Sequence, residues 1–115
     1  MTVTIYHNPR CSKSREALKL LREKGVEPEV VKYLETPPDE ATLAHLLDLL
    51  GLEPRELMRK KEKEYKENNL ANPELSREAL IAAMVAHPRL IERPIVVKGE
   101  RAALGRPPES VLEIV

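Results

Sequence analysis

The chain has 115 residues, with nineteen basic and nineteen acidic side chains, three histidines, one cysteine and neither tryptophan nor phenylalanine. That length supports one core and one domain, residues 1–115, and the balanced charge leaves no global field for nucleic acid or a membrane surface, so any anion site has to be local. No apolar run nears the roughly 20 residues of a membrane span, no leader-like stretch precedes the first strand pattern, and one cysteine makes neither a disulfide framework nor a zinc cluster, so the expected setting is a reducing cytoplasm.

Thr2–Tyr6 reads as a short strand with Val3 and Ile5 on one face. His7-Asn8-Pro9-Arg10-Cys11-Ser12-Lys13-Ser14-Arg15 follows, and Glu16–Lys24 carries a helix pattern with Ala17, Leu18, Leu20 and Leu21 inward and Gly25 after its end. A strand turning into a helix leaves Cys11 at or just before the first helical turn, where unpaired N–H groups and the helix dipole favour an anion. Arg10, Lys13 and Arg15 add positive charge, so the thiol is expected to ionise below its free value of about 8.5 and to act as a nucleophile beside an anion site. The alternative for such a residue is a buried, inert cysteine acting as a small apolar side chain.

Val30–Leu34 is the second strand, which makes a parallel βαβ unit and sets Cys11 at the carboxyl edge of the sheet, where α/β proteins place ligands. Asp39 is an N-cap for a helix whose Leu43, Leu46, Leu47 and Leu50 form a core stripe ended by Gly51, with His45 off the stripe and solvated. Pro54 starts a short helix holding Leu57 and Met58. Lys60–Glu67 reads as a solvated face of alternating charge, and local spacing does not distinguish Arg59 from Lys60. Ser76 caps a helix with Leu80, Ile81, Met84 and Val85 that ends at His87-Pro88. Arg93–Val97 and Arg101–Leu104 form a hairpin around Lys98-Gly99, and a last short helix enters through Pro108 with Val111, Leu112 and Ile114 inward. This order predicts an α/β fold, a four-stranded mixed sheet flanked by helices.

Zinc lacks ligands in this chain, and a dithiol Cys-x-x-Cys site is interrupted by Ser14, since the chain reads Cys11-Ser12-Lys13-Ser14. A tyrosine-phosphatase loop needs Cys-x5-Arg, and Ala17 stands where the arginine would be. A monothiol beside an anion site remains. With one thiol, a two-electron reduction requires a second thiol from outside.

The stretch His7–Arg15 resembles the active-site loop of the glutaredoxin-dependent arsenate reductase family. The resemblance continues through Tyr33–Pro38, Glu56–Lys60, Glu92–Val97 and Gly105–Pro107, nearly the whole chain in order. It implies a thioredoxin-like fold, a cis Arg93–Pro94 bond facing the cysteine loop, and attack of Cys11 on arsenate. It also implies glutathione as co-substrate, with no bound cofactor, and glutaredoxin as the protein partner that completes the cycle yielding arsenite. By the same resemblance Arg59, Arg93 and Arg106 bind the oxyanion, His7 and Ser14 stabilise the thiolate, and Asn8 belongs to the substrate-binding set by shaping the loop. Arg10 departs from family members with a small residue there. Two rival readings remain: a monothiol oxidoreductase acting on glutathione mixed disulfides, with arsenate incidental, and an Spx-like regulator binding RNA polymerase on a related scaffold, whose usual Cys-x-x-Cys is broken here by Ser14.

Overall fold

Alternation along β1, Val3–His7, buries Val3, Ile5 and His7 and leaves Thr4 and Tyr6 half-buried. This strand lies inside a sheet of order β2-β1-β3-β4, with β2 at Glu29–Lys32, β3 at Ile95–Lys98 and β4 at Arg101–Leu104. β1 runs parallel to β2, with Ile5 opposite Val30, and antiparallel to β3, with Ile5 opposite Val96. β3 and β4 form the expected hairpin, and Lys98 faces Arg101 across the Gly99-Glu100 turn. The computed structural model describes residues 2–115 and divides the chain into two compact units: the segment up to Thr36 together with Arg93–Val115, and Pro37–Glu92.

In the first unit, α1 spans Ser12–Glu23 and presents Ala17 and Leu21, spaced i, i+4, to the sheet. They join Val3, Ile5 and Val96, and the floor is closed by Val111 and Ile114 from the C-terminal 3₁₀ segment Pro108–Glu113 and the residue after it. Each of the valine, leucine and isoleucine side chains among them contributes about 1.5–3 kcal/mol by leaving water. The sheet is therefore fastened on the face that also carries His7.

The second unit is helical: α2 at Glu40–Leu50, a 3₁₀ turn at Pro54–Leu57, α3 at Lys63–Glu67 and α4 at Arg77–Ala86. Asp39 Oδ1 accepts the Thr42 N–H at 2.7 Å and Ser76 Oγ accepts the Ala79 N–H at 3.1 Å, the two caps expected from the sequence. Gly51 closes α2 at φ +69°, a left-handed conformation that a side chain would disfavour. Leu43, Leu46 and Leu47 of α2 and Leu80, Ile81 and Met84 of α4 are buried, and the two helices pack together. Arg55 ties this unit across a long span by donating to the carbonyls of Leu70 and Asn72 at 2.9 and 2.6 Å.

Some boundaries differ from the sequence reading. β2 ends at Lys32, and Tyr33-Leu34 turn away because the Glu35 and Thr36 N–H groups both fold back onto the Lys32 carbonyl at 2.9 Å. α1 begins at Ser12, four residues before Glu16. The reading of Lys60–Glu67 as a solvated face fails at two positions. Glu62 and Glu64 keep only 15% and 13% side-chain exposure, and Glu62 pairs with both Arg59 and Arg89 at 3.0 Å. His45 is exposed, as expected. Among the described residues no helix is long and apolar enough to cross a membrane.

Candidate active site

β1 ends at His7 and α1 starts at Ser12, so Asn8–Cys11 must reverse the chain in four residues. Asn8 organises that turn from three atoms: its carbonyl accepts the Cys11 N–H at 3.0 Å, its Oδ1 accepts the Arg10 N–H at 3.0 Å, and its own N–H donates to Ser14 Oγ at 3.1 Å. Arg15 bends back from the first turn of α1, and its Nη1 donates to the Pro9 carbonyl at 2.9 Å.

Cys11 is therefore the N-cap of α1, in extended backbone (φ −95°, ψ 123°), and only 9% exposed. Its thiol makes no full capping hydrogen bond, but the N–H groups of the first turn point toward it. Burial opposes ionisation. The Ser14 N–H, the Arg93 guanidinium as donor and as charge, and the Lys13 N–H together outweigh it, so the thiol pKa lies below its ordinary value. Cys11 is thus buried as the bland alternative requires, but in polar surroundings that favour its anion.

His7 is 5% exposed and its Nδ1 lies 2.6 Å from Ser14 Oγ. Burial, and then the charges of Arg22, Lys32 and Arg15, lower its pKa, so the imidazole is neutral near pH 7. Ser14 is fully buried. Its hydroxyl oxygen takes the Asn8 N–H and shares a hydrogen bond with His7, whereas its backbone N–H is what favours the Cys11 thiolate.

Arg93 meets Cys11 from just before β3; Arg106 follows β4, is exposed, and its Nε donates to the Arg93 carbonyl at 3.2 Å. The Arg93–Pro94 bond is cis, and so is Arg106–Pro107, for which the sequence reading carried no expectation. One unit thus brings together His7, Asn8, Cys11, Ser14 and Arg93, with Arg106 on the Arg93 backbone. Arg59 belongs to the Pro37–Glu92 unit, where its Nη1 is 3.0 Å from Glu62 Oε2 and its Nε is 3.8 Å from Glu92 Oε1. Sequence reasoning passed over the clamp of Arg15 on Pro9 and the field of Arg22 and Lys32 at His7. In the sequence Arg15 reads only as charge, and Lys32 meets His7 through the β1–β2 register.

Chemically the arrangement is a soft, ionisable sulfur held by main-chain donors, with a guanidinium against it that suits an oxyanion. The model of the ArsC family matches residues 6–114. The chain is 68% identical over 114 residues to the uncharacterized protein YfgD of Escherichia coli K12, covering 98% of this chain and 96% of that one. It is 53% identical over 110 residues to an arsenate reductase of Neisseria meningitidis, covering 95% and 94% of the two chains. The solved structure of an arsenate reductase from Vibrio cholerae superposes with a TM-score of 0.97 at 59% identity, over 100% of this chain and 98% of that one. The four-stranded mixed sheet with its flanking helices is thus thioredoxin-like, as the resemblance implied.

Proposed function

Since the chain belongs to the ArsC family, we propose that it is an arsenate reductase that uses Cys11 as nucleophile and glutathione with glutaredoxin as the source of electrons. The observation that carries this reading is the Cys11 thiol held toward its anion by the first-turn amides and the Arg93 guanidinium. The thiolate attacks arsenic, an oxygen leaves as water, and a sulfur–arsenic bond forms. The thiol of glutathione then bonds to the Cys11 sulfur as the sulfur–arsenic bond breaks. Each sulfur gives up one electron, arsenic gains two and departs as arsenite, and Cys11 is left as a mixed disulfide. Glutaredoxin takes the glutathionyl group and returns the free thiol. A reducing cytoplasm suits this cycle.

In this reading Arg93 and Arg106 hold the oxyanion through paired donors, and Arg59 is assigned to arsenate by its match to the family motif. Asn8 fixes the loop. Neutral His7 orients Ser14, whose N–H then serves the thiolate. Support for the outside thiol is arithmetic: the chain has one cysteine and the reduction needs two sulfurs.

The test couples arsenate, glutathione and glutaredoxin to NADPH consumption and follows the enzyme by intact mass. Arsenate-dependent turnover is expected, with a single glutathione adduct on Cys11 when glutaredoxin is withheld. Cys11→Ser should abolish turnover completely while circular dichroism stays unchanged; turnover surviving in that variant would refute the mechanism. Glutathionylation at the same rate without arsenate would assign the protein to mixed-disulfide exchange instead.

A further inference from the structure

We propose that Gly105 is a positioning residue for the reaction: the Pro94 ring seats where a side chain of residue 105 would stand, and that seat sets where Arg93 presents its guanidinium to Cys11. The proposal rests on the reading above only in taking Arg93 and Cys11 to act together.

Gly105 is buried, and its φ lies outside the left-handed region, so conformation alone does not demand glycine. Space does. A Cβ at this position would lie 2.5 Å from Pro94 Cγ, 2.9 Å from Pro94 Cδ and 3.4 Å from Val111 Cγ1. The first two separations are shorter than real carbon contacts, and a pyrrolidine ring has no flexible end to swing aside. Residue 105 has no room to retreat, because Val111 behind it is fully buried in the core. The backbone is fixed on the same side, since the Gly105 N–H donates to the Pro94 carbonyl at 2.8 Å and Arg106 Nε donates to the Arg93 carbonyl at 3.2 Å. Any added methyl group therefore displaces Pro94, and Arg93 is bonded directly to it. The guanidinium of Arg93 is also a donor to the Cys11 sulfur.

The experiment is a double-variant cycle on Gly105→Ala and Arg93→Ala, read by the rate of Cys11 alkylation with iodoacetamide from pH 5 to pH 9. Alkylation needs no arsenate, so the outcome is readable even if the chain does not turn arsenate over. Gly105→Ala should slow alkylation at pH 6 by roughly three- to tenfold, less than the roughly hundredfold that a full 1 Å misplacement can cost, and should move the rate profile to higher pH. In the Arg93→Ala background the same change should have no further effect, because its route is already gone. A Gly105→Ala protein that is merely less stable, with an unchanged profile, overturns the proposal, and so does an effect that adds to that of Arg93→Ala. If Gly105→Ala yields no folded protein, Pro94→Ala removes the ring from the same seat. Slowed alkylation that vanishes in the Arg93→Ala background supports the proposal, and a parental rate overturns it.

Discussion

The two units differ more than the neutral chain suggests. The unit carrying Cys11 has eleven basic and eight acidic side chains, and Pro37–Glu92 has eight and eleven. One is a sheet with a helix on its core; the other is helices and 3₁₀ turns stapled by Arg55 and by the Arg59–Glu62–Arg89 pairs. The comparison teaches that a cancelled total says little about field. Cys11 and the guanidinium against it lie in the cation-rich unit, and in the acid-rich unit Arg59 and Arg89 are met by carboxylates of their own segment.

The comparison breaks first if the helical unit sets the thiol. Leu47→Ala empties a fully buried site in α2 and should cost about 2–5 kcal/mol of stability. The folded fraction should still be alkylated at the parental rate at pH 6. A slower rate in the folded protein would mean that the helical unit shapes the nucleophile.

Arg93→Ala and Arg106→Ala sharpen it from the other side. Each removes hydrogen bonds to a charged group, a loss of about 1.5–3 kcal/mol or roughly ten- to a hundredfold in arsenate affinity. Arg101→Ala is the control, since Arg101 sits on the same hairpin but donates to the Glu113 carbonyl at 3.0 Å. Arsenate protection of Cys11 from alkylation gives the affinities. Equal losses from all three would point to general charge and away from a built site.

Acid should weaken the cysteine-bearing unit with a sign fixed by its pKa values. Cys11 and His7 both have folded values below their ordinary ones, so in each case the unfolded chain binds the proton more readily. Stability is then full above the ordinary thiol value and falls as the pH drops toward the folded value of Cys11. It falls again from about 6.5 toward the folded value of His7, no more steeply than about 1.4 kcal/mol per pH unit for one proton. Urea unfolding at pH 9, 7 and 5 measures this, and Cys11→Ser should flatten the upper window alone. Stability that rises on acidification would contradict the assignment of both groups.

The smallest effect expected is at a helix start. Ser76→Ala removes the cap of α4 and should cost about 1 kcal/mol by thermal unfolding, with no change in arsenate affinity. A change in affinity would couple α4 to the anion.

What was legible in the sequence was local. Asp39 and Ser76 announce caps by residue type, Gly51 announces an end, and period-two burial along Val3–His7 marks a strand. Cys11 at a strand-to-helix turn was legible for the same reason. What escaped depends on partners far along the chain. Glu62 looks solvated until Arg89, twenty-seven residues on, takes its second oxygen. The field at His7 comes partly from Lys32 across the β1–β2 register. Arg15 was visible as charge, but its use as a clamp on Pro9 depends on how tightly the loop turns.

Two of the groups that favour the thiolate, the N–H of Lys13 and the N–H of Ser14, belong to the main chain. No substitution other than proline deletes an amide proton. Drift in the exposed side chain of Lys13 leaves its donor in place, whereas at Ser14 the buried hydroxyl, bonded to the Asn8 N–H and to His7, also holds the amide where it is. Part of what favours the Cys11 thiolate is thus inherited with the backbone path itself, whereas the Arg93 guanidinium can be lost by a single substitution.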